Sequence, residues 1–401
     1  MTTAVSRASD TGAPQAVSAA TRTKRAYLHH LDLIRVVTFS LVIFVHCLTQ
    51  TTDEFGSLGV NSTSLLMHFT RNTFFALTGF VLMYQNLDRA NFSTLDFWRR
   101  RIKLVIFPYL IWSLIYWVVK DMWANGRLSD VPSSLDEFGK LVIWGLSGFQ
   151  MYFLFVMLQV YLLFPLVLWL VRATRNHHVV LLAASLGVQL AITVMITYGT
   201  PPAALANVWW HLYATFIPYQ FFILYGAVAA VHHEAISQWL TGKGRWLVAA
   251  LVVTAGIALG TYLYGVWFRG KPIHDNNSAF YPTLIPFAIT AIACLYAAAA
   301  HWARNWRDLH PRFAQAVTYA SNRSFGVFLC HVLVLFFVLY PKASDGQPAI
   351  LEALNQPWAT ALVYLLTLLG ALSLVEIMRR LPGSIYLTGR PRLPIFSRTH
   401  S

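Results

Sequence analysis

Arg35 and His46 sit in one long apolar segment, LDLIRVVTFSLVIFVHCLTQ, with ten residues between them. A charged side chain inside a bilayer costs at least ~2.5 kcal/mol by insertion scales, so function or a partner usually holds it there. Eleven helical steps make about three turns and advance ~16 Å, which puts both side chains on nearly one face at different depths. An arginine near one membrane face and a histidine near the other can link events on the two sides. A neutral imidazole at that depth can serve as general base. Asp32, three residues before Arg35, is its neighbour on the helix surface. The plainer alternative has Arg35 snorkelling to one interface and His46 resting at the other. Asp53 and Glu54 follow in the next loop, and no orienting partner for His46 is evident.

Four further groups could carry chemistry. Arg71 opens RNTFFALTGF with His68 one turn earlier, and its depth calls for a partner or an anionic ligand. In the same stretch, Thr78-Gly79 is small enough to admit a neighbouring helix. Arg99, Arg100, Arg101 and Lys103 crowd FWRRRIKLVIFPYL ahead of Pro108-Tyr109. Such a cluster is either a topology anchor or a site for a phosphorylated donor, since guanidinium groups bind phosphate bidentately. Pro108 is expected to kink or unwind the helix start. Ser324, Gly326 and His331 lie along NRSFGVFLCHVLVL, the histidine near mid-membrane, either as a satisfied structural residue or as part of a site. Tyr152 opens another apolar run, and FFILYG ends at Gly226.

The elements that must position these residues follow from composition. The chain is 57% hydrophobic and 11% charged over 401 residues. Soluble domains carry about 25% charged residues, so this is an integral membrane protein. Ten apolar segments, near 29–49, 64–84, 104–121, 150–171, 178–198, 212–231, 246–267, 280–301, 322–340 and 357–378, are long enough to cross the hydrocarbon core. The expected fold is an all-α polytopic membrane helical bundle of about ten transmembrane helices. With an even number of spans both termini share one side. That side receives 22 of the 30 Lys and Arg residues, against six on the other. The positive-inside rule then sets both termini in the cytoplasm of a multi-pass protein of the cell inner (plasma) membrane. The net charge of +14 therefore reports topology, and no nucleic-acid partner is expected. Cys47, Cys294 and Cys330 show no metal spacing, so neither a disulfide framework nor a metal site is expected. Residues 1–25 read as a disordered cytoplasmic tail, 26–381 as the transmembrane domain and 382–401 as a basic cytoplasmic tail.

Taken together, Arg35-x10-His46, FFALTGF, FWRRRIKLVIFPYL, the aromatic start of the fourth span and SFGVFLCH resemble the acyltransferase-3 family of integral membrane acyltransferases. The resemblance covers about residues 28–380. It departs mildly where the family's usual serine before the glycine is Thr78. It implies transfer of an acyl group, most often acetyl, from cytoplasmic acyl-CoA, the donor substrate, to a hydroxyl beyond the cytoplasm. On this resemblance His46 and Arg35 are catalytic, with Arg71 an oxyanion stabiliser. Arg99, Arg100, Arg101 and Lys103 would hold the CoA phosphates, while Thr78, Tyr109, Tyr152, Ser324 and His331 are further site candidates. His46 would either deprotonate the acceptor or carry the acyl group. Some relatives bear an additional extracytoplasmic domain that is not expected here, so envelope-biosynthesis partner proteins would complete transfer. An Ala-, Arg- and Gly-rich chain suits a high-GC bacterium, which makes an envelope glycan or glycolipid, such as a mycolylated trehalose, the expected acceptor. The alternative class is a transporter or flippase of an envelope lipid or polar solute, with the same charges lining its pathway.

Overall fold

Hydrocarbon offers the backbone no water to bond, which leaves a chain of this composition only helices or a closed barrel. The computed structural model describes residues 26–125, 131–343 and 346–394. Among them the backbone forms helices and no β-strand, with one isolated bridge between Lys342 and Pro348. Residues 1–25 and 395–401, parts of the two expected tails, lie outside the described residues.

Ten helices answer the ten expected segments. They are α1 (His29–Thr51), α2 (Phe69–Asn86), α3 (Thr94–Asn125), α4 (Met151–Ala173) and α5 (His178–Tyr198). The second half contains α6 (Gln220–Val231), α7 (Gly244–Arg269), α8 (Leu284–Asn305), α9 (Pro311–Leu339) and α10 (Trp358–Met378). Among the described residues, eight of these are long and apolar enough to cross a membrane by length and composition. The other two are α2 and α6.

Those two exceptions form the centre of the bundle. Eleven of the 18 residues of α2 are buried, and eight of the 12 in α6, against three of 26 in α7. A helix screened by protein rather than lipid tolerates Thr70, Asn72 and Thr73, which is why α2 falls short in hydropathy. The pair meets at glycines. A Cβ on Gly226 would stand 1.8 Å from the Ala76 carbonyl oxygen, and one on Gly79 would stand 2.1 Å from that of Ile223. Backbones this close need hydrogen at both positions.

The helices differ from the expected segments in instructive places. The second segment breaks at His68, between a short helix Leu58–Met67 and α2. Helix α9 starts eleven residues earlier than expected, at Pro311, where a missing N–H costs nothing in the first turn. Helix α3 also starts early, so the basic cluster is helical, and it continues through Pro108 without ending there. Residues 382–394 are not simply a tail. They carry a short helix, Ser384–Thr388, that packs on α3, α9 and α10, and Trp112 Nε1 donates to the Leu387 carbonyl at 2.9 Å.

Lipid accounts for what remains outside. Leu162, Leu166, Trp169, Val252, Val253 and Phe268 are exposed large apolar residues, as the hydrocarbon-facing surface of a bundle requires. Helices α1 and α9 run parallel, because Arg35 meets Ser321 and His46 meets His331. Arg35 and Arg101 thus belong to one end of the bundle, and His46 and Arg71 lie toward the other.

Candidate active site

Arg35 is fixed by a cluster at the basic end of the bundle. Asp32 is 2% exposed and accepts from the Arg35 Nη1 at 3.3 Å and from the Ser321 hydroxyl at 2.6 Å. Arg35 Nη1 also donates to Ser321 Oγ at 2.8 Å. The Tyr27 hydroxyl donates to both Asp32 oxygens, and burial together with that carboxylate pushes its pKa up to about 12. A buried carboxylate with three donors is compensated, and it holds the guanidinium at the wall of a cavity.

The basic cluster divides by helix face. Phe97, Arg100, Arg101 and Leu104 follow the i, i+3, i+4, i+7 pattern, and all line a pocket of about 260 Å³ with Gln85, Asn86 and Arg89. Arg99 and Lys103, four residues apart on another face, are exposed and do not line it. The Arg101 guanidinium donates to the Gln85 side chain. Opposite, Arg172 Nη2 reaches the Asn86, Leu87 and Arg89 carbonyls at 3.0, 2.6 and 2.9 Å. It thereby holds the C-terminus of α2, where a cation is favoured, and with it the Arg89 side of the pocket.

Arg101 also borders a second cavity deeper in the bundle, about 220 Å³, lined by Arg35, Thr78, Tyr161, Ser324 and apolar side chains. Thr78 directs its hydroxyl to Met157 Sδ at 3.7 Å, and Ser324 donates to the Ser321 carbonyl at 2.8 Å. A third cavity, about 280 Å³, contains His46, Thr49, His68, Arg71, Gln150 and Tyr152 in its wall. The second and third cavities share three lining residues, Phe74, Phe153 and Phe328.

In that outer cavity His46 lies between two rings, Phe149 stacked at 6.1 Å and His331 at 5.5 Å between centroids. His331 is fully buried and sits behind His46 rather than in the cavity wall. Its Nδ1 lies 2.8 Å from the Phe328 carbonyl, which can only accept, so Nδ1 carries the hydrogen. Its Nε2 is buried without a partner. Arg71 donates to the Ala279 carbonyl at 3.1 Å and is flanked by the Phe280 and Tyr219 rings at 4.7 and 5.0 Å. Among the described residues no carboxylate pairs with it, and its buried Nε has no partner. A cation flanked by rings, with no carboxylate partner among the described residues, remains available to an anion or a developing negative charge. His68 Nε2 is likewise buried without a partner. No group of three or more His, Cys, Asp or Glu side chains gathers as metal ligands would among the described residues.

A family model for an acyltransferase domain, that of the acyltransferase-3 family, matches residues 28–376. The chain belongs to that family. No curated protein and no solved structure matches it.

As a membrane acyltransferase, the chain brings most of its sequence-expected site residues to three cavities linked by shared lining residues. Arg100 and Arg101 border the basic pocket, Arg35, Thr78 and Ser324 the middle cavity, His46, Arg71 and Tyr152 the outer one. Tyr109 stands apart: it is buried in the core, and its hydroxyl donates to the Val142 carbonyl. Two positioning residues escaped sequence reasoning. The Tyr116 hydroxyl donates to the Leu329 carbonyl at 2.7 Å and accepts from the Leu333 amide at 3.2 Å, groups two residues to either side of His331. Gln150 Nε2 donates to both Tyr116 and Leu329, at 2.7 and 3.0 Å. Together they hold the α9 turn that carries His331. A buried Gln ahead of a long apolar run was the available signal, since an apolar span needs a reason to bury an amide.

Proposed function

We propose that this acyltransferase moves an acyl group, acetyl above all, from acyl-CoA to a hydroxyl of an envelope glycan or glycolipid. The basic end faces the cytoplasm, in keeping with the positive-inside distribution of charge, and receives the donor. One observation carries the reading: a basic pocket, an arginine-bordered cavity and a histidine-bearing cavity follow one another, with three phenylalanine rings at the last boundary. Arg89, Arg100 and Arg101 take the CoA phosphates, for which guanidinium groups are suited. The pantetheine arm lies along the middle cavity past Arg35, and the thioester reaches the rings.

The acceptor enters the outer cavity with its hydroxyl at His46. His46 takes the hydroxyl proton as the oxygen attacks the thioester carbonyl. Arg71 supports the negative charge that collects on the carbonyl oxygen. The C–S bond then breaks, the ester C–O bond remains, and the proton on His46 passes to the departing CoA sulfur. No external oxidant, reductant or metal enters that balance.

The test uses purified protein in liposomes containing extracted envelope lipids and glycans, with radiolabelled acetyl-CoA. Label should appear in acceptor material with the wild type and vanish with a folded, inserted His46→Ala variant. Absence of label from both acceptor and free acetate across several acyl-CoA lengths would refute the reading. Equal labelling by the two proteins would remove His46 from the chemistry.

A further inference from the structure

The Phe74, Phe153 and Phe328 rings come from α2, α4 and α9 and touch one another in all three pairings. Ring centroids stand 5.6 Å apart for Phe74 and Phe153, 6.2 Å for Phe74 and Phe328, and 5.1 Å for Phe153 and Phe328. Each pair is tilted or edge-on, an arrangement favoured by the ring quadrupole. These are the residues common to the two inner cavities, so the trio is the wall between the side bearing Arg35 and Arg101 and the side bearing His46 and Arg71. We propose that this three-ring wall is the acyl-size filter of the transfer step, admitting short acyl groups to His46 and refusing long ones.

The inference rests on the acyl-CoA reading above. His46 lines only the outer cavity, and the donor's phosphates have their cationic partners at the far end. An acyl group must therefore pass the rings before its carbonyl can meet a hydroxyl activated by His46. The wall is not equally stiff. Phe153 packs on Phe75 at 4.9 Å, and Phe75 stacks on Tyr219 at 4.3 Å. Phe328 packs on His331 at 5.9 Å and lends it the carbonyl that fixes its tautomer. Among the described residues, Phe74 has ring contacts only with the other two members. Phe74 therefore has the fewest ring contacts of the three, and its size decides how wide the gap opens. Its removal leaves room for several methylenes, whereas a larger ring closes the gap further.

The test is a chain-length series of acetyl-, butyryl- and octanoyl-CoA in proteoliposomes, reading CoA thiol release for wild type, Phe74→Ala, Phe74→Leu and Phe74→Trp. Pockets that differ by one methylene discriminate by at least about tenfold, so Phe74→Ala should raise the octanoyl-to-acetyl ratio by about that factor or more. Phe74→Leu should move it the same way by less, and Phe74→Trp should depress butyryl relative to acetyl turnover. Ratios within about twofold of wild type in all folded variants would overturn the filter while leaving the acyltransferase reading intact. CoA release by wild type from none of the donors would overturn the acyl-CoA reading and the filter with it. Should Phe74→Ala fail to fold, Phe74→Leu and Phe74→Trp still decide, because they move the ratios in opposite directions.

Discussion

His46 and His331 face each other from two parallel helices, 5.5 Å between ring centroids, and among the described residues only His331 of the two has a hydrogen bond that sets its tautomer. The pair therefore divides into one imidazole that meets the cavity and one that supports it from behind. Removal of a general base costs about 10²–10⁴-fold in rate, so His46→Ala should abolish measurable transfer. His331→Phe keeps a ring against His46 and should cost about tenfold, chiefly in kcat, as loss of positioning does. Radiolabel transfer under saturating acetyl-CoA distinguishes them. Losses of equal size would mean that both imidazoles take part in the proton movement.

The split of the basic cluster by helix face gives a second expectation. A charge-assisted hydrogen bond contributes about 1.5–3 kcal/mol, so Arg100→Ala and Arg101→Ala should each raise the KM for acetyl-CoA about tenfold or more. Arg99→Ala and Lys103→Ala, which do not line the pocket, should stay within about twofold of wild type, as surface charges do. The KM series across these four variants would expose a mistaken assignment, since a plain anchor would show no such division.

Around Arg35, the cluster predicts an asymmetry in stability. Breaking a buried ion pair from one side costs about 3–5 kcal/mol, so Asp32→Asn should lower the thermal midpoint in detergent steeply. Ser321→Ala removes a neutral partner and should cost about 1 kcal/mol. Arg35→Ala leaves the buried Asp32 carboxylate without its counter-charge, so it should lower the thermal midpoint as well as activity. A thermal series that ranked Ser321→Ala below Asp32→Asn would contradict this picture.

The α2–α6 contact is expected to be intolerant of a single methyl group. Gly226→Ala drives a Cβ onto the Ala76 carbonyl and Gly79→Ala onto that of Ile223, so the helices must separate. Overpacking of this kind costs about 1–3 kcal/mol or more, and both variants should lose yield as monodisperse protein. Gly256, on the lipid-facing α7, has nothing within 4 Å of its Cβ position, so Gly256→Ala should be neutral or slightly stabilising. Size-exclusion profiles with a fluorescent tag would report all three, and equal behaviour of Gly226→Ala and Gly256→Ala would refute the close approach.

Much of this was legible in the chain. The ten segments follow from the length of apolar runs, and the Asp32–Arg35 pairing from helical spacing. That Arg35 and His46 lie at two depths on one face follows from the eleven steps between them and the 1.5 Å rise of a helix. The family could be read because its motifs recur in order along 28–376. These features are local, or are set by the bilayer as a solvent, and so are written along one segment at a time.

Only the tertiary structure decided which residues meet across segments. In lipid, a leucine or phenylalanine facing hydrocarbon and one facing another helix are equally apolar, so the usual hydrophobic stripe does not mark the buried face. Phe74, Phe153 and Phe328 each lie in a stretch that carries the resemblance, FFALTGF, the aromatic start of the fourth span and SFGVFLCH, but nothing within one stretch says that its ring meets the other two. For the same reason Tyr116 gave no sign that it braces the turn around His331, and α2 and α6 gave no sign of being the core. Helical phase places Arg101 opposite Arg99 and Lys103, with Arg100 between them, but which face meets the pocket depended on where α2 and α4 came to rest. The sequence set the membrane, the spans and the chemistry in each span, and packing chose which of those residues share a cavity.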